Sequence, residues 1–378
     1  MRTFLALISG ILIFSSCASE DQSQSFENVL DELIVNVDTV VVDVGDEIFI
    51  PGAYNYPEIS TDQKTLFFYY EGEKPEIHEI ELEDFSLKGR YTLKTDGPDR
   101  VPEYLINANL LANDEFALIG YGVQGIYSKE GEKLGELNLE SRNWKGLPDV
   151  ENLDFKQRMF IIDEGNKGVS IPGVFMGGAQ GLATFDFQND SVRMYDIPAM
   201  DIANNFRVVF KQGNGATISA DQVWLDEVND TFFVYCQSTS DIYHYNPELD
   251  SIRLVSFDHK LVPAKRSGSV KADVNSHEER RALGREMNKL ISFSKFYWDD
   301  SREMYFRFAS ENTRFNEEGR SMGSDIYLFA YDIDLNLIGE KLLELERYPY
   351  RAFFMDGYLY AYTVVGEFPA FARYSLEF

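Results

Sequence analysis

The stretch TFFVYCQSTSDIYHYNPELDSIRLVSF, residues 231–257, carries the pattern that decides the fold. It reads as an aromatic strand, a variable segment, a second strand, a polar turn and a third strand. The same order returns in residues 303–343, and the sequence SDIY opens the middle strand in both copies, at 240–243 and 324–327. Alternating residues in such runs point to opposite faces of a sheet. The chain is therefore predicted to repeat one antiparallel strand unit.

Weaker copies of this unit extend the repeat over most of the chain. They lie at residues 65–93, 115–139, 158–197 and 358–378. A further strand-like run precedes each copy, which gives four strands per unit, and the last copy lacks its fourth strand. The run TVVVDVGDEIFI at 39–50 can supply that strand. We therefore expect an all-β, six-bladed β-propeller closed by an N-terminal strand, with seven blades as the alternative.

The aromatic content of the chain favours β-structure, and its net charge limits the partners that it can bind. Aromatic residues make up 14% of the chain, which favours strands. The 35 basic and 63 acidic residues give a formal net charge of −28, so phosphate backbones are repelled and nucleic acid is not an expected partner. No cofactor is predicted, although weak calcium binding at the acidic surface stays open.

The N-terminus MRTFLALISGILIFSSC resembles the signal and cleavage box of bacterial lipoproteins. Its apolar run at 4–14 is about half the length that a membrane-spanning helix needs. The resemblance implies a signal peptide at 1–16 and acylation of Cys17. Residues 17–35 are then a lipidated tether and lead-in, and residues 36–378 are expected to form one propeller domain.

The tether suggests a location. Its acidic pair, Glu20 and Asp21, resembles the sorting signal of lipoproteins displayed on the outer surface of some Gram-negative cells. We therefore expect an outer-membrane lipoprotein, held at the membrane through its lipid anchor and facing outward. A periplasmic orientation is the alternative.

Motifs for catalysis or metal binding are not found. Cys236 is the one cysteine left after Cys17, so no intramolecular disulfide can form, and its apolar surroundings predict a buried structural thiol. The segment YDIDLNLIGE at 331–340 lacks the glycine and closing glutamate of a calcium loop. The histidine of SHEERR, His277, has no second histidine four residues on, so a zinc-protease helix is excluded.

The lipoprotein box, the strand unit and features such as EMYFRF at 303–308 resemble one known family. It comprises uncharacterised six-bladed β-propeller lipoproteins of Gram-negative bacteria and is known mainly as a domain of unknown function. The resemblance covers nearly all of the chain after Cys17. It implies the fold and the location, and it supplies no catalytic residues.

One face of the propeller is predicted to carry the function. Loops between the second and third strands of a blade emerge on the same face as loops between blades. Long segments occupy only such positions, at 163–180, 198–217, 258–291 and 310–323, whereas the other connections are short polar turns. The longest contains a short amphipathic helix near 275–290, which we expect to form a lid or rim.

Basic residues on or beside these segments are candidate ligand donors. They are Arg207, Lys211, Lys265, Arg266, Arg307 and Arg314. Such donors suit carboxylates or acidic and sulfated sugars, and pairing with neighbouring acids is the alternative. Tyr70, Tyr121 and Phe308 end second strands and could offer stacking surfaces, with a place in the core as the alternative.

Three functions fit these observations. The leading hypothesis is a non-enzymatic binding protein of the cell envelope whose partner is a glycan, a peptide or an outer-membrane protein. A glycan-active hydrolase or lyase that uses carboxylates in the central funnel is the second. A structural subunit of an outer-membrane assembly is the third. The sequence leans away from an enzyme without excluding one.

Overall fold

The computed structural model confirms the all-β prediction: the chain folds into many small antiparallel sheets. The described residues are 28–46, 55–71, 74–174, 177–213 and 215–378. The predicted signal peptide and Cys17 lie outside them.

In the described part of the chain, six sheets contain four strands each, and sheets 1 to 3 follow one another along the sequence. The strands of sheet 1 are Asn55–Ile59, Thr65–Tyr70, Glu76–Glu81 and Ser86–Thr92. The strands of sheet 2 are Leu105–Leu110, Phe116–Gly120, Gln124–Tyr127 and Lys133–Glu136. The strands of sheet 3 are Met159–Ile162, Lys167–Ser170, Leu182–Asp186 and Ser191–Tyr195.

Sheets 4 and 5 keep the same order, and sheet 6 takes one strand from the start of the chain. The strands of sheet 4 are Trp224–Val228, Thr231–Tyr235, Ile242–Asn246 and Ser251–Val255. The strands of sheet 5 are Ser292–Asp299, Met304–Phe315, Ser321–Tyr331 and Leu337–Leu343. The strands of sheet 6 are Ala352–Met355, Tyr358–Val365, Phe368–Glu377 and Ile34–Val41.

The remaining elements lie in the connections. One three-stranded sheet joins Leu153–Asp154, Gly173–Val174 and Gly178–Ala179. A second joins Phe206–Gln212, Gly215–Ala220 and Val270–Val274. The helical elements are the 3-10 segments Asp163–Gly165 and Pro198–Asn205 and helix α1, His277–Met287.

The alternation of apolar residues explains how the sheets stack. In the strand TFFVY, Phe232 and Val234 pack toward sheet 3, while Phe233 and Tyr235 pack toward sheet 5. All four side chains are buried, so this strand is apolar on both faces rather than on one. A sheet with two apolar faces must be covered on both sides, which a neighbouring sheet on each side achieves.

Every four-stranded sheet shares a hydrophobic cluster with the next sheet, and sheet 6 shares one with sheet 1. The pairs that join consecutive sheets include Phe67 with Phe116, Ile119 with Ile161, Phe160 with Phe232, Phe233 with Phe296, and Phe306 with Phe354. Phe85 of sheet 1 contacts Tyr360 and Phe371 of sheet 6 at centroid distances of 5.2 and 5.6 Å. Packing therefore continues from the last sheet back to the first.

The start of the described chain binds three sheets in succession. The amide of Val29 donates to the carbonyl of Ile338 in sheet 5 at 3.0 Å. Strand Ile34–Val41 then pairs with Phe368–Glu377 along its whole length. Beyond it, the amide of Leu87 donates to the carbonyl of Asp43 at 2.8 Å, which attaches the chain to sheet 1.

This arrangement corrects two boundaries. The N-terminal strand was expected within 39–50, but it runs over Ile34–Val41, and residues 47–50 lie outside the described part. The lead-in expected at 17–35 is folded from Asn28 onward, because Leu30 and Leu33 are buried between sheets 5 and 6. Four valines at 40–44 looked like one strand, although Val42 and Val44 pack on sheet 1 instead.

The long segments also differ from simple loops. Segment 163–180 contains the second strand of sheet 3, Lys167–Ser170. Residues 163–166 therefore join the first and second strands, and only the part after Ser170 leads to the third strand. Segment 310–323 extends the central hairpin of sheet 5 outward, and segment 198–217 contains part of a second hairpin. The predicted helix in 258–291 is present as α1. Backbone pairing within the insertions satisfies their polar groups.

Truncating Leu30 tests whether the N-terminal segment stabilises the fold. Its side chain is fully buried, and Gly339 of sheet 5 leaves the space that it fills. We expect Leu30→Ala to lower the free energy of unfolding by about 2–5 kcal/mol, as other large-to-small core changes do. Urea denaturation followed by fluorescence measures this.

The control is Ile34→Ala, because the side chain of Ile34 is 58% exposed and should contribute less than about 1 kcal/mol. Equal, small effects of the two substitutions would show that the segment is not part of the folded core.

Candidate functional site

The long segments form one layer on one side of the molecule. Ala179 packs with Met200 and Ala203 of the 3-10 segment that follows sheet 3. Strand Phe206–Gln212, which continues from that segment, pairs in parallel with Val270–Val274. The amide of Asn312, in the extended hairpin of sheet 5, donates to the carbonyl of Lys289 at 3.0 Å. All four predicted long segments thus contact a neighbour in this layer.

Helix α1 is positioned by its cap and by its apolar side. The hydroxyl of Ser276 accepts from the amide of Glu279 at 3.1 Å, which caps the start of the helix, and it also donates to the Glu279 carboxylate at 3.2 Å. Leu283 and Met287 pack against the buried Val208 and Phe210 of the neighbouring hairpin. The opposite side of the helix is thereby left facing outward.

A cleft of about 810 Å³ opens beside α1. It lies between the helix, the hairpin of strands Phe206–Gln212 and Gly215–Ala220, which we call the accessory hairpin, and the tip of the extended hairpin of sheet 5. Its lining residues are Val208, Ser219, His277, Glu278, Arg280, Arg281, Gly284, Arg285, Met287, Asn288, Phe315, Glu318 and Gly319. Ligand pockets in proteins commonly have volumes of roughly 300–1,000 Å³. We call this space the α1 cleft.

Arginine side chains dominate the charge of the α1 cleft. Arg280 lies over the ring of Phe210 at 5.8 Å, and Arg285 reaches the hairpin tip at Gly319. Arg281 is exposed on the same side of the helix. None of these three guanidinium groups forms an ion pair with a carboxylate among the described residues.

Three of the basic residues predicted as ligand donors form ion pairs instead. Lys211 binds Asp273 at 2.7 Å, Lys265 binds Asp241 at 2.8 Å, and Arg314 binds Asp325 at 2.6 Å. These three ion pairs follow the alternative that the sequence left open, namely pairing with neighbouring acids. The donors still have free hydrogen-bonding capacity toward solvent, so their binding of a ligand stays a prediction.

The structure corrects the placement of Arg307. Its side chain is fully buried between sheets 4 and 5, where it donates to the carbonyls of Ser294 at 2.9 Å and Ser240 at 2.6 Å. Desolvation lowers the pKa of this guanidinium, and the rings of Phe293 and Phe296 lie within 5.0 Å of it. Arg307 therefore stabilises the interior and is not available to a ligand at the surface.

Arg207 and Arg266 lie at the base of the layer. Arg207 stands opposite Ala220 in the accessory hairpin. Arg266 is largely enclosed: it donates to the carbonyl of Ile291 at 2.7 Å and to the hydroxyl of Ser238 at 3.2 Å. These bonds join the two ends of the longest insertion to sheet 4.

The aromatic candidates separate into three environments. Tyr121 is 62% exposed, with the Lys156 amine 4.9 Å from its ring. Tyr70 is half-buried and stacks on His78 at 5.7 Å. Phe308 is buried between sheets 5 and 6, in agreement with the core alternative. None of the three lines the α1 cleft.

Cys236 is buried, as the sequence predicted. Desolvation raises the pKa of its thiol to about 12, so the reactive thiolate is scarce at neutral pH. Among residues 28–46, 55–71, 74–174, 177–213 and 215–378, no group of three or more His, Cys, Asp or Glu side chains is placed to hold a metal ion. Weak calcium binding at the surface stays a prediction.

A second group of titratable residues lies on the first strands of three different sheets. Burial raises the pKa of Glu58 in sheet 1 to about 8, and the charges of Glu227 and Asp226 in sheet 4 raise it further, whereas Lys295 in sheet 5 lowers it. Burial likewise raises the pKa of Glu227 to about 7. Glu58 therefore responds to charges on sheets 4 and 5 as well as to its own burial.

Sequence reasoning did not assign the arginines of the α1 cleft. The sequence predicts that the segment NSHEERRALGREMNKL forms a short amphipathic helix that acts as a lid or rim, and it assigns no role to these arginines. A usable signal was present, because Arg281 and Arg285 are four residues apart and must share one side of a helix. The opposing hairpin tip could not be anticipated from sequence.

These features define the class as an all-β, propeller-like protein with an elaborated surface. The profile of the domain of unknown function DUF4221 matches residues 24–342, and the chain belongs to this family. No curated protein matches the sequence. Among the described residues, no helix has the length and apolar composition to cross a bilayer.

One solved structure of the same family shares the fold at low identity, and other solved structures are similar to this chain at lower scores. The crystal structure of a DUF4221 family member from Bacteroides vulgatus is 13% identical, with a TM-score of 0.64, over 91% of this chain and 98% of that one. A protein of unknown function from Bacteroides thetaiotaomicron is 12% identical, with a TM-score of 0.39, over 91% and 76%. A β-propeller domain from Myceliophteria thermophila is 7% identical, with a TM-score of 0.38, over 91% and 100%.

The raised pKa of Glu58 predicts a pH dependence of stability. A carboxyl group whose pKa is higher in the folded protein than in the unfolded chain binds its proton more tightly when folded. Stability is then greatest at low pH and is lost as the pH rises from about 4.5 to about 8. Water screens the half-buried Glu58, so we expect a decrease of about 2 kcal/mol between pH 5 and pH 8.

Glu58→Gln should remove at least half of this decrease, because the amide stays neutral at both pH values. Urea denaturation at the two pH values measures it, with Glu83→Gln at an exposed turn as the control. An unchanged decrease in Glu58→Gln would contradict the assignment.

Proposed function

We propose that the chain is a non-catalytic binding protein of the bacterial cell envelope, with its binding face formed by the segments 163–180, 198–217, 258–291 and 310–323. In this proposal the six four-stranded sheets are the blades of a closed six-bladed propeller. The contacts between sheet 6 and sheet 1 support closure. The electrostatic coupling between Glu58 and Glu227 also supports it, because the first strands of opposite blades would face each other across a channel.

The observation that carries the binding function is the convergence of three of the four long segments, 198–217, 258–291 and 310–323, around one cleft. Helix α1, the accessory hairpin and the extended hairpin of sheet 5 come from separate parts of the chain, and each contributes to the lining. A scaffold alone does not require such a layer, whereas binding sites are commonly built from loops on a rigid framework. The stacked sheets supply that framework.

The location is proposed from the N-terminus. Acylation of Cys17 would place the lipid 11 residues before Asn28, where the described chain begins. A fully extended segment of that length spans roughly 35–40 Å, which is enough to hold the folded part clear of lipid headgroups. The acidic Glu20 and Asp21 support outward display, and a glycan, a peptide or an outer-membrane protein could then be reached.

A glycan-active enzyme is the second candidate, and the pair Glu58 and Glu227 favours it. Carboxyl groups with raised pKa values can act as acid and base in glycoside cleavage. Both residues, however, lie near the ends of their strands, beside the short turns that follow Ile59 and Val228. This places them toward the side opposite to the long segments, which supports binding without catalysis at the α1 cleft.

Filling the cleft tests the binding function. Gly284 lines it, and a Cβ atom added there meets no other atom within 4 Å, so Gly284→Trp should fold normally and occupy the space. We expect the variant to lose at least tenfold in affinity for ligands that the wild type captures from an immobilised panel of glycans and peptides.

Gly135→Trp is the matched control, because a Cβ atom at this strand position also meets nothing within 4 Å and the residue lies outside the cleft. Unchanged binding by Gly284→Trp would contradict the assigned face. Hydrolysis or elimination of a bound glycan, abolished by Glu58→Gln, would support the enzyme instead.

A further inference from the structure

We propose that the α1 cleft binds an acidic oligosaccharide through its carboxylate or sulfate groups, with Arg281 and Arg285 as the principal donors. This inference rests on the proposed binding function and specifies its ligand. The ligand carries oxyanions at repeated positions along its length. Guanidinium groups recognise carboxylate and sulfate in the same way. Both are anionic groups, one planar and one tetrahedral, in which two oxygens can accept hydrogen bonds from one guanidinium at once.

The spacing of donors along the helix is the first argument. His277, Arg281 and Arg285 are separated by four residues each, and all three line the cleft. Residues four apart lie above one another on a helix, with a rise of about 6 Å between them. The cleft thus presents a row of donors at regular intervals, which suits a chain of acidic sugar units better than a single small anion.

The second argument is that nearby carboxylates are already engaged. The Glu279 carboxylate accepts from the hydroxyl of Ser276 at 3.2 Å, Glu286 binds Lys289 at 2.8 Å, and Glu318 binds Arg320 at 3.2 Å. Within the described part of the chain, Glu278 and Glu318 are the acidic residues that line the cleft, against three arginines. The cleft is therefore locally cationic.

For a ligand inside the α1 cleft, the charges that line the cleft matter more than the net charge of the whole chain. The chain carries a formal net charge of −28, which would repel an anion if all charges acted equally. At physiological ionic strength, however, charges farther than about 8 Å away are largely screened. A ligand inside the cleft therefore responds mainly to the guanidinium groups around it.

The walls of the cleft add contacts for the rest of the ligand. Arg280 is held over Phe210, and Arg285 lies against the hairpin tip, so two guanidinium groups are oriented before binding. Phe315 and Met287 supply half-buried apolar surface beside these donors. Sugar rings have both an apolar face and polar edges, and such mixed walls accommodate them.

Calorimetric titration with defined probes tests the inference. The probes are tetragalacturonate, a sulfated heparin tetrasaccharide, neutral cellotetraose and a hexaglutamate peptide, each at 50 and 300 mM NaCl. We expect one or both acidic tetrasaccharides to bind, more weakly at the higher salt concentration, and cellotetraose not to bind. The two acidic probes distinguish a carboxylate ligand from a sulfate ligand.

Charge variants separate this inference from a general loss of structure. Arg281→Gln combined with Arg285→Gln should weaken acidic-sugar binding by roughly a hundredfold, about tenfold for each lost charged donor. Glu278→Gln should strengthen it several-fold, because it removes a like charge from the wall. Arg253→Gln, on the outer strand of sheet 4, is the matched control and should change nothing.

Several outcomes would overturn the inference. These are binding of acidic and neutral tetrasaccharides with equal affinity, insensitivity to the double arginine substitution, binding of hexaglutamate alone, or binding of none of the probes. The immobilised panel of glycans and peptides can still yield a ligand whose binding is lost in Gly284→Trp. In that case the binding function stands while the acidic-sugar inference fails. If Gly284→Trp binds every ligand of the panel as the wild type does, the proposed function itself fails.

Discussion

The fold depends on one backbone pairing, in which the start of the chain completes the sheet that its end begins. Strand Ile34–Val41 covers the outer edge of Phe368–Glu377, so the last sheet gains its fourth strand. The flanking residues attach to sheet 5 on one side and sheet 1 on the other. Without this segment, sheet 6 would expose an unpaired edge and the packing between sheets 5, 6 and 1 would lose buried leucine and valine side chains.

A framework held in this way can carry large insertions. The sheets bury both of their faces against neighbours, so their stability does not depend on the connections beyond the strand ends. The insertions then satisfy their own backbone groups through a parallel strand pair, two extended hairpins and a capped helix. Their shared packing creates the α1 cleft, and charged side chains can accumulate there with little effect on the sheets.

Much of the fold was predictable because residues along each strand alternate regularly between the two faces of a sheet. In sheets 4 and 5, aromatic strands and polar turns mark the units clearly, and weaker copies of the same order mark sheets 1 and 2. The strand Lys167–Ser170 was missed, since KGVS contains one large apolar residue and resembles a loop. Arg307 was misplaced, although alternation in EMYFRF puts it on the same side as Tyr305 and Ala309, which are buried between sheets 4 and 5.

The site was less predictable than the fold. The segments that form it could be recognised from their length and position, but the cleft exists only where three of them meet. Arg281 and Arg285 share one helix side by sequence, and Glu286 and Glu318 pair locally with Lys289 and Arg320. That the hairpin tip at Gly319 lies opposite the helix depends on tertiary contacts, which cannot be derived from one sequence without a structure.

The most direct test of the account is native-state amide hydrogen exchange of the N-terminal strand, followed by mass spectrometry. If the strand closes the fold, amides in 34–41 that bond to sheet 6 should exchange with the same free energy as those in 231–235 of sheet 4, because both would require global opening. Rapid exchange in 34–41 while sheet 4 stays protected would contradict closure by the N-terminal strand.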